Sequence, residues 1–158
     1  MKKFKNIWVG LTIIWMGLIY YMSNQPASIS SSQSGGFINM LSNLPIIGNT
    51  IKELMKIGIA EFLIRKSAHM FLYFMLAILI YMVFKNINNR KAYLYSLIGC
   101  FIYACTDEIH QLFITGRSGE FKDVLVDTLG ATIGLLIVFI INKILNLRKN
   151  KIKSQSWF

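Results

Sequence analysis

Charge is scarce in this chain, and negative charge scarcer still: 15% of its 158 residues are charged, seven of them acidic against 17 basic. So little charge beside 54% hydrophobic residues and a mean hydropathy of +0.51 excludes an ordinary soluble domain of this length and makes a membrane the natural solvent. The only two cysteines, Cys100 and Cys105, stand five apart in one apolar stretch, which suits neither a C-x-x-C redox pair nor a zinc pattern and marks them as packing residues. No aromatic-plus-basic module accompanies the formal charge of +10, so nucleic acid is not an expected partner. No small-residue cleavage site follows "LIYYMSNQP", so the basic, apolar N-terminal segment is expected to stay as a span, with Tyr20 and Tyr21 as interfacial anchors. There is no internal repeat.

What is present is long apolar runs, at residues 7–22, 67–84, 92–105 and 124–141. A spanning helix needs about 20 mostly apolar residues, and the third run reaches that length only by continuing through Thr106, Asp107, Glu108 and His110 to Ile114. The expected fold is all-α: one integral membrane domain of four transmembrane helices, at about 7–22, 67–84, 92–114 and 123–141. "SNQPASISSSQSGG", small, polar and broken by Pro26, Gly35 and Gly36, reads as an external loop. After it, Ile47, Ile51, Leu54, Met55, Gly58 and Phe62 recur at helical spacing, which predicts an additional amphipathic helix over about 46–64. The short "KNINNRK" connection makes the second and third spans antiparallel neighbours. Lysines and arginines at 2–5, 85–91 and in the basic tail 143–158 hold eleven of the 17 basic residues on one side, whereas all seven acidic residues fall on the other. By the positive-inside rule both termini of a multi-pass membrane protein are expected in the cytoplasm.

The acidic residues are concentrated in "DEIHQLFITGRSGEFKDVLVDTLG", residues 107–130, which holds five of the seven. Asp107 and Gln111 are four apart, as are Asp123 and Asp127, and Gly130 and Gly134 continue the face of the latter pair. Lys66, His69 and Tyr73 step by three and four along one stripe of the second span. Counted from Ala92 at about 1.5 Å per residue, Asp107 and Glu108 lie roughly 23 Å across a core of about 30 Å. Three spans thus bring polar stripes to one level beneath a loop holding Arg117 and Ser118.

Ionisable groups inside a membrane are expensive, so the cluster is expected to be paired, hydrated or functional. An ion-pair network in which Arg117 and Lys66 neutralise Glu108, Asp123 or Asp127 is the architectural explanation. No metal site is expected, because H-x-x-x-Y and D-E-x-H-Q are not zinc spacings. A Ser118–His69–Asp127 triad lacks any G-x-S-x-G elbow to activate the serine. His110 is expected to face headgroups. Gly130 and Gly134 form a G-x-x-x-G pair that fits either another helix of this chain or a homodimer.

Taken together, "YMSNQP", "SISSSQSG", "RKSAHMFLYFMLA" and above all "TDEIHQLFITGRSGEFKDVLVDTLGATIG" resemble the VanZ-like family of small bacterial membrane proteins. The resemblance covers most of the chain. It implies a multi-span membrane protein, of a family associated with resistance to the glycopeptide antibiotic teicoplanin. Carried over residue by residue, it singles out Lys66, His69 and Tyr73, then Asp107, Glu108, Gln111, Arg117 and Ser118, and finally Asp123, Asp127 and Gly130.

The leading expectation is an outward-facing pocket that binds or modifies a cell-envelope lipid or lipid-linked precursor. Arg117 and Lys66 would grip anionic oxygens, with Tyr73, Gln111, Ser118, Asp123 and Asp127 also contacting ligand. For catalysis, His69 is the proton carrier, assisted by Glu108 or Asp107, with no cofactor. The alternative is a non-enzymatic membrane factor whose cluster is structural and whose external loop contacts a partner. Transport is a weaker third, because four spans are few for a substrate path.

Overall fold

A computed structural model describes residues 2–85 and 91–155. Among them are six helices and no strand: α1 (Lys2–Ser23), α2 (Ala27–Ser42), α3 (Gly48–Lys56), α4 (Ala60–Lys85), α5 (Ala92–Gln111) and α6 (Phe121–Gln155). Five of the seven residues of the expected 85–91 connection, 86–90, lie outside the described residues.

Among the described residues three helices are long and apolar enough to cross a membrane: α1 over Asn6–Ser23, α4 over Ala60–Lys85 and α6 over Phe121–Asn150. The expected third span, α5, is not among them, because its tyrosines and the acids of its last turns dilute its apolar character. α6 also runs well beyond the expected boundary at 141 and takes most of the basic tail into the same helix.

The segment expected to be an external loop is a helix. Pro26 occupies the N-cap position of α2, where its missing N–H is no loss, and Ile38 and Ser34 are buried. Packing on α4 outweighs the roughly 1 kcal/mol that each glycine at 35 and 36 costs a helix relative to alanine. The expected single helix over 46–64 is divided. Gly58, with φ +78°, closes α3 in a Schellman turn, the Ile59 N–H donating to Leu54 O at 3.2 Å and the Gly58 N–H to Met55 O at 3.0 Å. From Ala60 onward the chain already belongs to α4. Amphipathicity survives in the short α3, where Ile51 and Leu54 are half-buried while Lys52, Glu53 and Lys56 are exposed.

Helix α4 is the axis of the bundle and touches every other helix. Its closest neighbour is α6, because Gly130 and Gly134 let the backbones meet. A Cβ on Gly130 would lie 2.2 Å from Met70 O, and one on Gly134 2.6 Å from Phe74 O. The glycine pair is therefore spent on a helix of the same chain. Along this seam Tyr73, Leu76, Ala77, Tyr81, Ala131 and Leu135 join Ile19, Cys100 and Ala104 in one buried core. Cys100 is a free, buried packing residue, as expected, and Cys105 is also free. α1 is fastened across the bundle by Trp15 Nε1, which donates to Leu72 O at 2.9 Å, and by accepting the Tyr103 hydroxyl at Met16 O, 2.7 Å away. At the far end Asn142 Nδ2 bridges the hydroxyls of Tyr81 and Tyr93 at 2.9 and 3.0 Å.

Candidate functional site

The end of α1, the start of α4, the end of α5 and the start of α6 meet at one end of the bundle, where residues 112–120 fold over them. The Ala27 N–H donates to Thr115 O at 3.3 Å, and Arg117 clamps the same junction, with Nε donating to Gln25 O at 2.8 Å and Nη2 to Met22 O at 3.1 Å. These carbonyls at and just beyond the C-terminus of α1 attract a cation. Burial draws the guanidinium below its usual pKa, an effect opposed first by nearby Asp107. It remains charged in all conditions relevant to the protein.

Under this clamp lies a polar chamber of about 270 Å³, with Lys66 and His69 of α4, Glu108 and Gln111 of α5, Arg117 and Ser118 of the connecting loop, and Asp123 and Asp127 of α6 in its wall. Those eight expected site residues thus converge from three helices and a loop. Asp107 and Tyr73 lie just behind the wall: Asp107 shares a cluster with His69 and Asp127, and Tyr73 has Asp107 and Asp127 as charged neighbours. Gly130 serves the α4–α6 seam and does not line the chamber. His110 lies to one side, stacked on Tyr20 at 4.7 Å and 3.1 Å from Asn24 Oδ1.

Hydrogen bonding orders the acids unequally. Asp107 Oδ2 accepts from Ser23 Oγ at 2.8 Å and from Gln111 Nε2 at 3.4 Å. Glu108 accepts the backbone N–H of Glu120 at 3.0 Å and Gln111 Nε2 at 3.3 Å, which ties the start of α6 to the end of α5. Asp123 is ion-paired with Lys66, both side chains partly accessible. Among the described residues Asp127 has no partner on either oxygen although it is only 1% exposed, and the Tyr73 hydroxyl is likewise buried and unpaired.

Of the two cations expected to neutralise the acids, Lys66 pairs with Asp123, whereas the hydrogen bonds of Arg117 go to backbone carbonyls. Ser118 Oγ lies 3.3 Å from Glu120 Oε1 at an exposed position, and its hydrogen bond goes to neither His69 nor Asp127.

Sequence reasoning missed Ser23, Arg65 and Glu120. Arg65 lines the chamber and sits beside Lys66 in "RKSAH", so adjacency was its signal. Ser23 lies 84 residues from the aspartate it serves, and nothing local announces it.

A second cavity, about 450 Å³ and mostly apolar, opens between α2 and α4, with Phe37, Ile64, Phe71 and Leu72 in its wall. It shares Ser30, Arg65, His69 and Arg117 with the polar chamber. An apolar groove and a charged chamber therefore meet along one rim.

The family model described as VanZ/LLP1 matches residues 8–142 of this chain. The match takes in all of the chamber and the groove. No curated protein and no solved structure matches.

Proposed function

Since the chain belongs to the VanZ/LLP1 family of membrane proteins, we propose that it binds an amphiphile of the cell envelope, the polar head in the chamber and the chain in the groove between α2 and α4. The observation that carries this reading is the shared rim: Arg65, His69 and Arg117 border both cavities, so one molecule with a charged end and an oily end fits both. In this reading α5 is a fourth span and the chamber opens at the extracytoplasmic side, which the basic residues of the connection and tail support. An envelope lipid or lipid-linked precursor is the ligand class, and the family's association with glycopeptide resistance fits a site that handles such molecules.

Arg65 takes over the anion-gripping role expected of Lys66 and Arg117. Lys66 is engaged by Asp123, and Arg117 is engaged by carbonyls of Met22 and Gln25. Native mass spectrometry of the detergent-purified chain tests the reading. A retained phospho- or glycolipid adduct is expected, weakened by Arg65→Ala at the head end and by Ala68→Trp at a residue that lines the groove and not the chamber. An adduct indifferent to both substitutions would refute it.

A purely architectural role is favoured by one specific observation, the use of Arg117 to lash residues 112–120 to the end of α1. Under that reading His69→Ala and Glu108→Ala lower membrane abundance and lipid retention in parallel. Under the binding reading retention falls while abundance holds.

A further inference from the structure

We infer that His69, Asp107 and Asp127 form a binding site for one divalent transition cation, of the Zn²⁺ or Mn²⁺ class, in the inner wall of the chamber. The three residues come from α4, α5 and α6, and one ligand-type atom of each lies within 4.8 Å of the others. Tetrahedral ligands about 2.0–2.1 Å from a metal stand about 3.3 Å apart, so side-chain adjustments closing at most about 1.5 Å complete the site.

A second observation is independent of that clustering. Asp127 is 1% exposed, and neither carboxylate oxygen has a hydrogen-bond partner among the described residues. A buried carboxylate in that position requires a bound proton or a bound cation. None of the chamber's cationic side chains, Arg65, Lys66 and Arg117, hydrogen-bonds to Asp127: Lys66 is paired with Asp123, and Arg117 donates to the Met22 and Gln25 carbonyls. Formal charge points the same way. Arg65, Lys66 and Arg117 face Glu108, Glu120, Asp123 and Asp127 across the chamber, with Asp107 behind, an excess of two negative charges that one divalent cation balances. The Tyr73 hydroxyl, buried and unpaired beside Asp107 and Asp127, offers a further oxygen.

The donor set selects the class of ion. Imidazole favours zinc and other transition ions over magnesium and calcium, and two carboxylates disfavour soft cuprous copper. Three protein ligands leave a coordination position open toward the chamber, for water or an anionic oxygen. In this arrangement His69 is a ligand and not the proton carrier. Spacing rules within one helix do not register such a site, since its ligands lie 38 and 20 residues apart on three helices.

The full chain, purified in detergent, stripped with EDTA and titrated with ZnCl₂ or MnCl₂, tests the inference by elemental analysis after desalting and by thermal unfolding. One equivalent of metal is expected to be retained, with Tm rising as free cation increases. Asp127→Asn, which keeps side-chain volume and removes an unpartnered charge, and His69→Ala should weaken binding by at least the about 10–100-fold that loss of an outer-shell partner costs. Glu53→Gln, which removes an exposed carboxylate far in sequence from the triad and outside the chamber wall, should still bind one equivalent. Wild-type protein that is monodisperse and retains no cation overturns the inference, as does Asp127→Asn binding like wild type; the two aspartates then share a proton instead. Neither readout involves lipid, so the cation site stands or fails apart from the amphiphile.

Discussion

Substituting alanine at Gly130 tests the seam on which the chamber is built. The added Cβ would lie 2.2 Å from Met70 O, where ordinary contact begins at 3.4 Å, so α6 and α4 would have to separate by about 1.2 Å. Neither partner can turn aside, because the obstructing atom is a backbone carbonyl inside α4. Overpacking of this kind costs about 1–3 kcal/mol, and the rigid obstacle puts it near the upper value. Alanine's better helix propensity returns at most about 1 kcal/mol, so a net loss of about 2 kcal/mol is expected. At about 2–4 °C per kcal/mol for a chain of this size, Tm should fall by about 4–8 °C. Gly17→Ala is the control: a Cβ there meets nothing within 4 Å, and the same chemical change should be neutral or stabilising. Thermal unfolding of the detergent-purified variants reads both. Equal Tm values for the two substitutions would refute the claim that a backbone contact, and not glycine's flexibility, explains residue 130.

Other perturbations address the chamber. Ser23→Ala removes the 2.8 Å bond to Asp107, and a hydrogen bond to a charged group contributes about 1.5–3 kcal/mol; unfolding should show that loss, with Thr12→Ala in the same helix as a mild comparison. Arg117→Lys keeps the charge but cannot reproduce the fork on Met22 O and Gln25 O, so limited proteolysis should cut faster within residues 112–120 while α4–α6 stay protected. A double-mutant cycle on Lys66→Met and Asp123→Asn should give a coupling of about 1 kcal/mol, because both side chains are partly solvated; a coupling near zero would remove this pair from the forces that hold α4 to α6.

How much of this was legible varies with the range of the interaction. The all-helical class, the apolar runs and the polar stripe Lys66–His69–Tyr73 depend on composition and on spacings of three and four, which lie within one helix. The helix at Ala27–Ser42 was hidden for the opposite reason. Serine and glycine locally signal a turn, and only burial of Ile38 and Ser34 against neighbouring helices overrides them. The division at Gly58 had a visible glycine but no visible reason to prefer a turn over a continued helix.

The sequence by itself determined that the chain is helical, belongs in a membrane and concentrates its acids near one end of its helices, since each follows from counting residue types along a single element. Tertiary structure alone decided that Asp107 is held by Ser23 and that Arg117 is committed to carbonyls of Met22 and Gln25. It also decided that Asp127 lies beside His69 without a hydrogen-bond partner among the described residues, and that a charged chamber opens onto an oily groove. Those facts join residues tens of positions apart, and their distances are set by how separate helices pack against one another, a property that no single helix carries alone.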